Sequence, residues 1–85
     1  MKLTLKYFAS LREALGPGET LDWTPAPDAS AGALRAWLRA RSEAHAKLLA
    51  PGRAVRVAID QVMADEAAPL HDGAEVAFFP PVTGG

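Results

Sequence analysis

The α-carboxylate of Gly85 follows Phe79-Pro80-Pro81-Val82-Thr83-Gly84, and it is the one reactive group that the chain sets apart. Each proline fixes its own φ in the extended range and disfavours helix in the residue before it. Phe79 and Pro80 are therefore pushed toward β or polyproline geometry, which carries the following residues away from the body. Gly84 and Gly85 have no Cβ, so such a segment can pass through a channel too narrow for other residues and adopt φ values that they avoid. Gly85 is the candidate reacting residue. Gly84, Thr83, Val82, Pro81 and Pro80 are the candidate thread that delivers its carboxyl group into a partner's active site. The plain alternative is a frayed terminus, where small polar residues collect.

Other chemistry finds little support. His45 and His71 have no third donor at metal-ligand spacing, so no metal site is expected. Ser10 has no base nearby in sequence and reads as a helix cap, and no glycine-rich phosphate loop precedes a helix. Pro80-Pro81 lacks the spacing of a polyproline ligand and abuts a strand. No catalytic constellation is legible in the isolated chain, and no bound cofactor is expected.

The elements that must position this carboxylate fit one domain of 85 residues. There is no cysteine, which fits a reducing compartment, and ordinary packing must supply the stability. Nine Lys and Arg against ten Asp and Glu give a net charge of −1, too little for a nucleic-acid footprint. The first residues lack the apolar run of a signal peptide, and nothing approaches the roughly 18 apolar residues of a membrane span. A cytoplasmic protein without nucleic-acid or membrane partners is the expectation.

Along the chain, Lys2 to Phe8 alternates with Leu3, Leu5 and Tyr7 on one face, the period of a half-buried strand, and Phe8 falls on the other face. Ser10-Leu11-Arg12-Glu13 reads as a capping box opening a short helical connection that Gly16 ends. Thr20 to Thr24 alternates again around Leu21 and Trp23. Ser30 is the expected N-cap of the main helix, whose core stripe is Leu34, Trp37 and Leu38, with Arg35, Arg39 and Arg41 pointing elsewhere. A shorter helix is expected from Ser42 to Leu49, then strands over Ala54 to Asp60 and Gln61 to Met63. Pro69 to Gly73 is turn chemistry, and a last strand sets Ala74, Val76 and Phe78 against Glu75, Ala77 and Phe79. Two strands, one main helix and more strands describe an α+β domain over 1–79, a mixed sheet wrapped around one helix, with an extended tail over 80–85. If the first and last strands lie side by side at the sheet centre, Phe8 and Phe79 both stand on its outer face. Two aromatics there beside a projecting tail resemble a docking patch, the alternative being that the Ser10 turn or a loop folds over Phe8.

This order of elements, ending in Gly-Gly, resembles the ubiquitin-like β-grasp fold of sulfur carriers. Phe8-Ala9-Ser10-Leu11-Arg12-Glu13 is similar to that group's "FAxLRE" segment, and Leu70 to Gly85 is similar to "LxDGDEVAFFPPVxGG". Together they resemble the signature of the MoaD family, the small subunits of molybdopterin synthase. Two positions depart from it: Ala74 stands where aspartate is usual, and Asp60 where asparagine is common. The resemblance implies that the Gly85 carboxylate is adenylated by an ATP-dependent, ubiquitin-activating-type enzyme. With sulfur from a donor protein it becomes a thiocarboxylate, and it then gives that sulfur to cyclic pyranopterin monophosphate in molybdenum cofactor biosynthesis. It also implies a large synthase subunit as partner, in a heterotetramer, and contacts at Phe8, Met63 and Phe79. Strand parity singles out two of these three independently.

Two other readings stay open. A sister sulfur carrier serving thiamine, cysteine or tRNA thiolation would share the fold and the Gly-Gly end. A ubiquitin-like modifier would join Gly85 to a lysine of its targets.

Overall fold

The computed structural model describes residues 1–24 and 28–81. Its elements are β1 (Lys2–Tyr7), α1 (Ala9–Leu15), β2 (Gly18–Asp22), α2 (Ala31–Arg39), α3 (Glu43–Leu48), β3 (Arg56–Ile59), β4 (Val62–Ala64) and β5 (Ala74–Phe79). The five strands form one mixed sheet in the order β2-β1-β5-β3-β4. β1 runs parallel to β5 and antiparallel to β2, while β3 is antiparallel to both β5 and β4. The first and last strands are therefore neighbours near the centre, which meets the condition on which the outer-face placement of Phe8 and Phe79 is expected.

That alternation is what commits each strand to a face. Leu3, Leu5 and Tyr7 from β1 and Ala74, Val76 and Phe78 from β5 are buried on the inner face, in one cluster with Leu21, Trp23, Val57, Leu34, Leu38, Leu49 and Leu70. A one-residue slip of β1 or β5 would turn all of its inward side chains outward, so the register is strongly specified. Close approach fixes one glycine. Gly18 pairs with Lys6 at φ +136, and a Cβ there would lie 2.0 Å from the Leu5 carbonyl oxygen.

The main helix begins where expected, with the Ser30 hydroxyl accepting from the Ala33 amide at 3.1 Å. Its buried face differs from the expected stripe. Ala31, Leu34, Arg35 and Leu38 point inward, and Trp37 is 41% exposed. The inward set is a helical i, i+3, i+4, i+7 row that includes an arginine, because that guanidinium is fully engaged. Arg35 Nε donates to the Leu49 carbonyl at 2.8 Å, Nη2 to those of Ala50 and Arg53 at 2.6 and 3.0 Å, and Nη1 to Glu66 at 2.8 Å. A buried charge is tolerated when paired and hydrogen-bonded like this. Trp37 is left at the margin, 6.5 Å from the Trp23 ring, with the Arg41 guanidinium 5.5 Å above it.

A second correction concerns α1. Ser10 lies inside the helix, the N-cap is Phe8, and no side chain caps that end, so the capping box does not form. The chain instead reaches the helix by putting Ala9 at φ +53, two residues past the end of β1. Nor is α1 only a connection, since Leu11 joins the core. Ser42 does cap α3, accepting from the His45 amide at 3.1 Å. Among the described residues, no helix is long and apolar enough to cross a membrane.

Candidate functional site

The outward residues of the central strands form a grid whose rows follow from the register. One row crosses four strands: Lys6 on β1 opposes Ala77 on β5, Ala77 opposes Ala58 on β3, and Ala58 opposes Met63 on β4. Toward the tail, Phe79 opposes Arg56, and Phe8 continues β1 past the Tyr7–Phe78 pair, its amide donating to the Phe78 carbonyl at 3.3 Å. In the other direction Thr4 opposes Glu75.

Small side chains in the middle of this grid and large ones at its margin make a groove. It has a volume of about 470 Å³, and Phe8, Phe79, Ala58, Ala77, Gln61 and Pro80 are among its lining. Phe8 is 44% exposed and Phe79 half-buried. The aromatic pair singled out by strand parity therefore does share one surface. Met63, 58% exposed, stands on the same face one strand farther out and is not part of the groove lining. Pro80 sits at the rim, so β5 supplies a groove wall and leads straight into the spacer; Pro81 is half-buried. Val82, Thr83, Gly84 and Gly85 lie outside the described residues.

Residue reasoning missed the groove floor and its polar edge. Alternation assigns Ala58 and Ala77 outward, and two alanines flanked by outward aromatics were the available signal for a concavity. The edge is charge-compensated: Lys6 Nζ lies 3.2 Å from Glu75, and of the other lining residues only Gln61 is polar. Ala9, another lining residue, holds a left-handed φ that costs a non-glycine residue of order 1 kcal/mol or more. That conformation turns the chain sharply just after Phe8.

The histidines are engaged elsewhere. His45 Nδ1 lies 2.7 Å from Ser42 Oγ and its ring meets Tyr7 edge-on at 6.4 Å. Partial burial and then the nearby Arg41 hold its pKa below the ordinary value. Burial pushes the Tyr7 hydroxyl up to about 12, and it has no hydrogen-bond partner among the described residues. His71 Nε2 lies 2.6 Å from Asp60 Oδ2, in the turn between β3 and β4. No group of three or more His, Cys, Asp or Glu side chains that could hold a metal ion occurs among the described residues. The outer face thus offers a concave, largely apolar groove beside the start of the tail.

Known proteins match this geometry. The family model described as the ThiS family matches residues 5–85. The chain is 40% identical over 79 residues to the molybdopterin synthase sulfur carrier subunit of Escherichia coli, covering 93% of this chain and 94% of that one. Among solved structures, H. volcanii small archaeal modifier protein 1 is 28% identical, with a TM-score of 0.67 over 95% of this chain and 98% of its own. The protein-protein complex of subunits 1 and 2 of molybdopterin-converting factor from Helicobacter pylori contains a chain of the same fold. That chain has a TM-score of 0.69 at 23% identity, with full coverage of both chains.

Proposed function

Since the chain belongs to the ThiS family, we propose that it is the sulfur carrier subunit of a molybdopterin synthase, with the α-carboxylate of Gly85 as the atom group that carries the sulfur. The observation that supports this reading most is the continuity of groove and spacer: one strand contributes Phe79 to an apolar docking surface and passes directly into Pro80 at its rim. A partner seated on Phe8, Phe79 and the alanine floor receives Pro81, Val82, Thr83, Gly84 and Gly85 at a fixed starting point. The Helicobacter pylori factor is a two-subunit complex, which favours a large subunit as that partner.

The chemistry follows from the carboxylate. An α-carboxylate, whose ordinary pKa is about 3.3 to 3.7, is ionised and a poor electrophile at neutral pH. Attack of its oxygen on the α-phosphorus of ATP, with loss of pyrophosphate, gives an acyl adenylate. A sulfide equivalent from a sulfur donor protein then displaces AMP, and one carboxyl oxygen leaves on the AMP. The product is a thiocarboxylate at Gly85, and transfer of its sulfur to cyclic pyranopterin monophosphate belongs to the large subunit's active site. ATP is consumed by the activating enzyme, not held by this chain, and the acid–base groups are the partners'.

The test is a chain lacking Gly85, assayed for thermal melting and for molybdopterin formation with the large subunit, activating enzyme, ATP and a sulfur source. Normal melting with no product is expected. Product formation by the shortened chain would end the carrier reading. The likeness to an archaeal modifier favours one second reading, conjugation of Gly85 to lysines. Intact mass after purification from the native host separates the two, since one oxygen-to-sulfur exchange marks a carrier and ladders of conjugates mark a modifier.

A further inference from the structure

We propose that Asp60 and His71 are positioning residues whose pairing adds to the fastening of the β3–β4 hairpin beside the docking face while His71 is doubly protonated, making docking through that face pH-dependent. The inference rests on the docking role proposed for this face.

The hairpin needs fastening. β4 has three residues, pairs on one side only, and exposes Val62 and Met63. So short an edge strand belongs to the low-stability end of a fold. Its turn is tight: Ile59 pairs with Val62, and Asp60 and Gln61 between them have φ of 51 and 68. Two consecutive left-handed residues are the signature of a two-residue hairpin turn. The same hairpin presents Gln61 to the groove and Met63 to the outer face.

Asp60 ties this turn to the sheet centre. Its amide donates to the Glu75 carbonyl at 2.8 Å, and its Oδ1 accepts from the Glu75 amide at 3.0 Å. Its other oxygen, Oδ2, faces His71 Nε2 at 2.6 Å. His71 Nδ1 in turn lies 2.9 Å from the Asp72 carbonyl oxygen, and Asp72 Oδ1 accepts from the Lys2 amide at 2.6 Å. One imidazole thus links the hairpin turn, the loop entering β5 and the start of β1.

Both ring nitrogens of His71 face acceptors that have no proton to give, a carboxylate and a carbonyl. A neutral imidazole carries one N–H, so only the imidazolium makes both bonds. Losing that proton forces the ring to give up either Asp60 or Asp72. The surrounding charges agree: the Asp60 and Asp72 carboxylates face the ring, Glu75 is compensated by Lys6, and Lys2 lies on the neighbouring strand. The Asp60 hydrogen bond, and then the Asp72 carbonyl, hold the His71 pKa above its ordinary value of 6.5. Deprotonation therefore falls above 6.5, on the side of the ordinary histidine value that keeps the ring charged longer as pH rises.

The experiment has two parts. In the isolated chain, NMR follows the His71 ring and the Met63 methyl through a titration from about pH 5.5 to about pH 8.5. Both are expected to share one midpoint above 6.5. In Asp60→Asn the His71 midpoint falls and the Met63 methyl stops titrating. A Met63 methyl that ignores His71 in the parent chain overturns the proposal. In the complex, affinity for the large subunit is measured over the same range. For an exposed ion pair a roughly two- to fivefold loss is expected as His71 deprotonates. His71→Lys, which keeps its charge, is expected to hold the low-pH affinity throughout. A titrating methyl with pH-independent affinity would overturn the docking half of the proposal, leaving β4 fastened but without a part in binding. No saturable binding at any pH would remove the docking role of the face itself, and the His71 fastening then stands or falls on the titration of the isolated chain.

Discussion

Phe79 is divided between the sheet, through its backbone, and the groove wall, through its ring. Its backbone completes β5 and pairs with Arg56, while its ring stands on the face opposite to Val76 and Phe78. Truncating it removes little from the core cluster and much from the groove wall. Phe79→Ala is therefore expected to weaken binding of the large subunit by about 2 kcal/mol, roughly thirtyfold in Kd, with melting nearly unchanged. Calorimetric titration and a thermal melt on the same sample check this. A variant that binds normally and melts much earlier would put the ring in the core. Ala58 and Ala77 act the opposite way, through what they lack, since any larger side chain there fills the groove floor. Asp60 is a third case. The position demands a left-handed φ, which among non-glycine residues asparagine and aspartate tolerate well, and of these two only aspartate brings a charge for His71.

At the scale of elements, the fold depends on a helix that carries a charge inward. Arg35 sits in α2 between Leu34 and Leu38 and gathers the carbonyls of Leu49, Ala50 and Arg53, so α2 fixes the segment that follows α3 and leads toward β3. Arg35→Met keeps the volume of the stem and leaves those carbonyls without a donor. Destabilisation of about 2 to 4 kcal/mol is expected, read as a lower denaturant midpoint. Glu66→Gln touches the same cluster from its solvent side, where the carboxylate is 55% exposed, and is expected to cost under about 1 kcal/mol. Equal losses in the two variants would mean that the ion pair, and not carbonyl satisfaction, holds the loop. The expected core stripe failed at Arg35 and Trp37 for this reason. Helical periodicity gives the angular spacing of a face but not its centre, and three backbone carbonyls arriving from distant positions made an arginine the better inward residue.

For the whole molecule, the exposed Asp60–His71 pair makes stability depend on pH in a defined window. The Glu75 amide and then His71 hold the Asp60 pKa below its ordinary value of 3.8, so its contribution is present above that value and lost as pH falls through the folded pKa. His71 is raised, so its contribution is complete below 6.5 and lost as pH rises through the folded pKa. The melting difference between the parent and Asp60→Asn is thus expected to be largest between about pH 4 and about pH 6.5 and to shrink on both sides. A pH-independent difference would assign the effect to the turn alone. Alternation in Lys2 to Phe8 and in Ala74 to Phe79 determined two strands and which of their residues share a face, with Phe8 and Phe79 set apart from the inward rows, because side-chain direction in a strand is a local property of the backbone. The motif from Leu70 to Gly85 likewise pointed to the sulfur-carrier family before any strand was paired. Only the tertiary structure decided that Phe8, Phe79, Ala58 and Ala77 enclose one groove, that Met63 stands a strand beyond it, and that His71 meets Asp60. Those facts depend on register between strands distant in sequence, which the summed packing of the core sets and no local pattern encodes.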